Sequence, residues 1–302
     1  MSKITQALEK AARERLQRSQ DQPTVAVAGP IVVPLAVRRG VGEIAAAGQV
    51  AIDPHIVCAA EPKSPIAEQY RILRTNFQSL RLRSGPKVIV VTSAVNGEGK
   101  SVTAVNLALA FARQEGLKVV LVDADMRKSS VPKWLGLTDR HVGLSTVLSR
   151  NGELDGSLVS LESPPLTVLP AGPVTEHPAE LLESTAMKRL LATLKTQFDL
   201  IIIDAPPALP VADPGILAAL ADGVLLVVRA GKTQRKTVLQ AQELLKKMKA
   251  NLLGCVLTHV EYHMPGYHKY YQYYRQEAEP KGANGTSAPA RIGSGDESTR
   301  AS

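Results

Sequence analysis

The chain has 302 residues, 44% hydrophobic and 21% charged, a composition that fits one large soluble α/β domain with extensions, or two small domains. Its formal net charge of +8 admits an anionic partner, whether nucleotide, nucleic acid or acidic membrane face, without choosing among them. Two cysteines far apart, Cys58 and Cys255, exclude a disulfide framework and make a reducing cytoplasm the default.

Residues 3–18 carry Ile4, Ala7, Leu8, Ala11, Ala12 and Leu16 at helical spacing, which predicts a short amphipathic helix. Charges interrupt this N-terminus, so it does not read as a signal peptide. Residues 19–60 mix Pro, Gly, Ala and Val without a clear period and read as a linker with one short strand. Within them, the most apolar stretch, Val25 to Val37, contains Pro30 and Pro34 and falls short of the roughly 20 residues of a membrane helix. A second helix is predicted from Ser64 as N-cap and Pro65 at the first helical position to about Leu82.

From Lys87 the pattern turns to strand, loop and helix. Val88–Thr92 reads as a buried strand, followed by a glycine-bearing loop and a helix from Lys100 to about Gln114. Further apolar runs lie at 118–123, 166–170, 200–204, 224–228 and 252–257. Helical patterns, including 187–197 and 238–249, separate most of them. Such alternation predicts a mostly parallel sheet with helices on both faces. Cys255, inside the last apolar run, reads as a buried small hydrophobe. Six of the seven tyrosines then crowd into 262–274, at Tyr262, Tyr267, Tyr270, Tyr271, Tyr273 and Tyr274. An ordinary fold distributes its tyrosines over core edges, so this segment is either an adhesive patch or a set of hydroxyls offered as substrate. Residues 278–302 are rich in Gly, Ser, Ala and Pro and read as a disordered tail. The organisation expected is an N-terminal helix and linker at 1–60, an α/β domain at 61–261, and a flexible tyrosine segment and tail at 262–302.

The chemistry centres on 94–101, Ala-Val-Asn-Gly-Glu-Gly-Lys-Ser, placed between strand and helix as a phosphate-binding loop requires. Glycines there let backbone N–H groups turn toward phosphates, and the helix dipole adds to them. Asn96, Gly97, Glu98, Gly99, Lys100, Ser101 and Val102 are the candidate nucleotide-binding residues. Lys100 is placed to meet the β/γ-phosphates and the Ser101 hydroxyl to ligate Mg²⁺. Ala94 departs from the general motif, which has a first glycine at that place. Asp123 and Asp125 close one aliphatic strand and Asp204 closes another. Ligands bind at the carboxyl ends of strands in an open parallel sheet, so these three carboxylates should converge on the loop, holding Mg²⁺ or accepting a proton. Helix N-capping would explain one of them, but not all three. Arg127 reads equally as added positive charge at the site or as a salt bridge at the strand end.

Together, Gly97 to Ser101, the aliphatic run into Asp123-Ala-Asp125, the run 201–204 into Asp204-Ala-Pro-Pro207, and the C-terminal tyrosines resemble the bacterial tyrosine kinases of capsule and exopolysaccharide synthesis, the CpsD/CapB type. The resemblance covers about residues 60–275. It implies a P-loop NTPase fold, ATP and Mg²⁺ as cofactors, and phosphorylation of the chain's own tyrosine cluster within an oligomer. Asp123 would be the base, also contacting Mg²⁺ through water; Asp125 and Asp204 would support the metal shell together with Ser101, and Lys100 would stabilise the transferring group. Glu68, Arg71 and Arg74 match the family's E-x-x-R-x-x-R interface helix, which builds a ring, whereas their spacing alone reads as an intrahelical pair on a solvated face. The resemblance further implies a cytoplasmic chain brought to the inner face of the membrane by a membrane-bound polysaccharide co-polymerase, for which the helix at 3–18 is a docking candidate. A cognate tyrosine phosphatase is expected as a partner, and nucleic acid is not.

The rival reading is a MinD/ParA-like ATPase without kinase activity. Those proteins carry an extra lysine early in the loop, where this chain has Ala94, Val95 and Asn96, and they lack the tyrosine cluster. A scaffold whose tyrosines only adhere is disfavoured by the intact Lys100, Ser101 and three carboxylates. Thr258 stands where related nucleotide-binding proteins often place a base-contacting Asn, so ATP rests on the resemblance. His259, His263 and His268 fit no metal-ligand spacing.

Overall fold

Every residue of strand β3 (Val88–Ser93) is buried. Ile89 and Val91 enter one apolar layer while Val88 and Val90 enter the other. A strand's side chains alternate between faces, so a strand buried at every position must be covered twice. The same division runs through β4 (Val119–Asp123), β7 (Leu200–Asp204) and β8 (Gly223–Arg229). At about 1.5–3 kcal/mol for each fully buried aliphatic side chain, these two layers supply the main apolar drive for folding.

The structure, a computed structural model, describes residues 31–39, 43–81, 88–137, 142–150 and 154–260, all within the unit Met1–Val260. The helix expected at 3–18, the tyrosine cluster at 262–274 and the tail at 278–302 lie outside the described residues. The first layer is covered by α1 (Val57–Ala60), α2 (Pro65–Arg81), α3 (Lys100–Ala112) and α4 (Val131–Trp134). The second is covered by α5 (Leu144–Arg150), α6 (Pro178–Glu183), α7 (Thr185–Gln197), α8 (Asp213–Leu220) and α9 (Arg235–Lys247). Helix α2 begins as its sequence dictates, with the Ala67 amide donating to Ser64 Oγ at 3.2 Å and Pro65 at the first position.

The sheet has nine strands in the order β2-β1-β5-β6-β4-β7-β3-β8-β9. From β6 (Leu166–Leu169) to β9 (Leu252–Thr258) every pairing is parallel, as the alternating pattern predicts. The other end is antiparallel and holds β5 (Val159–Leu161) with the hairpin of β1 (Ile31–Arg39) and β2 (Glu43–Ile52). This hairpin corrects the expectation of a linker with one short strand at 19–60. Alanines and Gly48 blur the two-residue period of β2, and Pro34 argues against a strand. The structure tolerates Pro34 because β1 meets β5 through Leu35 and Ala36 alone. A second correction concerns Cys255, which is exposed. Strand β9 lies at the sheet edge, so its apolar run does not bury both faces. Among the described residues no helix is long and apolar enough to cross a membrane.

Candidate active site

The parallel strands deliver Ser93, Asp123, Asp204, Arg229 and Thr258 to one rim of the sheet. Register places Asp123 opposite Asp204, and Val91 opposite Asp204 on its other side. The loop after β3 therefore emerges beside Asp204, next to the point where the chain reverses its order across the sheet, the usual ligand crevice of such folds.

Gly97 and Gly99 have φ of +80° and +88°, left-handed values that strain any residue with a Cβ. They turn the loop into the first turn of α3, whose orphan amides make an anion site. Ala94 is fully buried in the second apolar layer, which accommodates its departure from glycine. The Glu98 side chain does not face the cradle. It is buried, accepts from the Val95 amide at 2.8 Å and the Arg229 amide at 3.4 Å, and takes the Thr233 hydroxyl. Thr258 donates to the Glu98 carbonyl at 2.7 Å. Glu98 thus ties the loop to the ends of β8 and β9. On this flank lies a cavity of about 330 Å³, lined by Val95 to Glu98 together with Arg229, Lys232 and Thr233.

Lys100 Nζ lies 2.8 Å from Asp125 Oδ2, 3.4 Å from Asp204 Oδ1 and 3.1 Å from Ser101 Oγ. Burial alone would lower its pKa, but Asp204 and Asp125 carry it upward, so the ammonium stays charged. Asp123 is fully buried, with Oδ1 accepting from the Asp125 amide at 3.1 Å, and Oδ2 from Ser129 Oγ at 2.8 Å and the Val131 amide at 3.2 Å. Burial, and then the Asp204 carboxylate, push its pKa up to about 7 against the pull of Ser129 and Lys100. Asp204 is shifted upward as well, first by burial, with Lys100 and Ser101 opposing.

Asp204 Oδ2 is buried with no hydrogen-bond partner. An orphaned carboxylate oxygen beside a serine hydroxyl and a second carboxylate suits a hard cation. Among the described residues no three His, Cys, Asp or Glu side chains converge as an all-protein metal cage. Mg²⁺ is commonly held by one or two carboxylates with phosphates and waters, and Asp204 with Ser101 offers such a partial set. The residues present therefore accommodate the ion.

The structure thus brings together Lys100, Ser101, Asp123, Asp125 and Asp204 with the loop residues 96–102. Glu68, Arg71 and Arg74 lie elsewhere, on α2. Arg71 pairs with the half-buried Glu68 and donates to the Pro62 carbonyl at 2.7 Å. Arg74 donates to the Ala110 carbonyl at 2.9 Å, in the last turn of α3. Arg127 adopts the salt bridge, Nε to Asp213 Oδ2 at 2.9 Å. Ser129, Asp213 and Thr233 escaped the sequence reading. The Asp-Pro pair that opens α8 is a helix-start signal that would have flagged Asp213, but nothing local points to its partner.

The family model ParA, described as NUBPL iron-transfer P-loop NTPase, matches residues 85–290. The tyrosine-protein kinase YwqD of Bacillus subtilis (strain 168) is 41% identical over 204 residues, which cover 68% of this chain and 85% of that protein. The tyrosine-protein kinase CpsD of Streptococcus agalactiae is 35% identical, over 71% of this chain and 92% of that one. Among solved structures, the chimerical protein CapA2B2 has a TM-score of 0.64 at 36% identity, covering 67% of this chain and 88% of its own. The kinase domain of the Escherichia coli tyrosine kinase ETK has a TM-score of 0.62 at 27% identity, over 70% and 83%.

Proposed function

This chain belongs to the bacterial tyrosine kinases, and on that premise we propose that it is an autokinase that moves the γ-phosphoryl group of ATP onto the tyrosines of 262–274 of a neighbouring copy. The observation that carries the proposal is the trio of Lys100, Asp125 and Asp204 closed at the phosphate loop, with the buried Asp123 beside it. The amides of 96–102 bind and orient the phosphates, and Lys100 offsets charge on the transferring group, since phosphoryl transfer rests on positioning and electrostatics. Mg²⁺, held by Ser101, Asp125 and Asp204 and reached by Asp123 through water, would neutralise phosphate charge. Asp123 takes the proton of the incoming phenol. The phenolic oxygen then bonds to the γ-phosphorus as the bond to the bridging oxygen breaks, leaving ADP. A base held near pH 7 is well matched to this role, because a free tyrosine hydroxyl has a pKa of about 10.

The half-exposed Glu68–Arg71 pair, with Arg74, is the proposed contact between copies in a ring. A membrane-bound polysaccharide co-polymerase is the proposed activator and recruits the cytoplasmic chain to the membrane. A tyrosine phosphatase resets it, and capsule or exopolysaccharide synthesis is the process regulated. The phosphate loop supports this reading over a partitioning ATPase, because Ala94, Val95 and Asn96 supply no early lysine. The test is incubation with Mg-ATP and the activator, followed by mass spectrometry. Phosphotyrosine within 262–274, absent in Lys100→Met, is expected. ATP turnover without phosphotyrosine would overturn the proposal.

A further inference from the structure

Asp213 is completely buried in the first turn of α8. Its two carboxylate oxygens receive Arg127 in a forked grip, Nε at 2.9 Å and Nη2 at 3.1 Å. Arg127 is partly exposed and ends the turn that starts at Asp123. The loop joining β7 to α8 is laced to the root of the phosphate loop: the Ala208 amide donates to Ser93 O at 2.7 Å, the Leu209 amide to Ala94 O at 3.3 Å, and Thr92 Oγ1 to Pro206 O at 2.6 Å. On the other side, Asp125 holds the Lys128 amide at 3.0 Å and Lys100 at 2.8 Å. These contacts form a closed circuit. It runs from the phosphate-loop root through the 205–212 loop to Asp213, across to Arg127, and back through Asp125 to Lys100.

We propose that the Arg127–Asp213 pair is a positioning clamp for the transfer reaction. The guanidinium is engaged by Asp213, so the pair acts through the turn it holds. It fixes the outer end of the Asp123–Arg127 turn against the 205–212 loop, so that Asp125 and Asp204 meet the metal-bound nucleotide at set positions. A forked guanidinium–carboxylate contact fixes direction as well as distance, which a lysine at 127 does not.

The inference rests on the kinase reading, so its test carries a readout that does not need tyrosine transfer. Asp213→Asn, Arg127→Lys, Arg127→Gln and the double variant Arg127→Gln/Asp213→Asn are compared for turnover and for binding of a fluorescent ADP with and without Mg²⁺. The phosphate loop is untouched, so binding without Mg²⁺ stays at the wild-type level. The strengthening that Mg²⁺ gives, and kcat, both fall about 10- to 100-fold, the scale of a small displacement of catalytic groups. KM for Mg-ATP rises in step with the lost Mg²⁺ strengthening, and Arg127→Lys fails to restore the rate. The double variant is no worse than the more damaged single, as coupled partners require. If a single variant does not fold, the double, which leaves no unpaired buried charge, is read in its place. Folded variants with wild-type kcat and Mg²⁺ response, or losses that multiply in the double, overturn the clamp. A wild-type protein that makes no phosphotyrosine would sink the kinase reading, while the Mg²⁺ response still decides the clamp.

Discussion

Asp123 has the least ordinary environment among the rim residues. It is an acid buried between donors and a second carboxylate, with its pKa raised to about 7. In the free enzyme, kcat/KM for tyrosine phosphorylation is expected to rise with pH through about 7 and level above it, as the base loses its proton. Asp123→Asn removes that limb and costs roughly 10²- to 10⁴-fold in rate, the range for a general base. The same shift has a stability sign. Between the unfolded value of 3.8 and the native value near 7, the folded chain holds a proton that the unfolded chain has lost. Its contribution is therefore full below the unfolded pKa and disappears as pH rises through about 7. Thermal melts should show Asp123→Asn gaining on the wild type as pH rises from 4 to 8. A melting difference that does not change with pH would contradict the buried, proton-holding Asp123.

At the scale of elements, the phosphate loop is braced by Glu98 as much as by its glycines. Removing that carboxylate takes the charged acceptor from the Val95 amide and the Thr233 hydroxyl, and a hydrogen bond to a charged group contributes about 1.5–3 kcal/mol. Glu98→Ala should lower the denaturation midpoint accordingly and weaken nucleotide binding, measured by chemical denaturation and by calorimetric titration. An unchanged midpoint would mean that the brace is not needed. The glycines and Lys100 were legible from their local order, and Asp204 from the four aliphatics before it. Glu98 read as one of the nucleotide-binding residues of the loop, and its bracing role was hidden because its partners Arg229 and Thr233 lie 131 and 135 residues away. Arg127 had two equal readings until Asp213, 86 residues on, settled its contact. The β1–β2 hairpin was hidden for a different reason: small side chains and a proline carry little pattern. Cys255 was misread because an apolar run does not reveal whether its strand is central or at an edge.

At the scale of the whole molecule, the proposed activity needs two copies, one presenting the site and one presenting the tyrosines. Each phosphate added to 262–274 brings about −1.5 to −2 charges, so a fully modified cluster would oppose continued assembly. That would make one segment both substrate and switch. The most direct test mixes a chain that cannot catalyse, Lys100→Met with its tyrosines intact, with an active chain in which all six clustered tyrosines are phenylalanine. Both receive Mg-ATP and the activator, and they are then separated by tag. Phosphotyrosine on the Lys100→Met chain is the predicted result, because only transfer between copies produces it. If that chain stays unmodified while the unaltered protein phosphorylates itself under the same conditions, transfer within one chain replaces transfer between copies, and the account is contradicted.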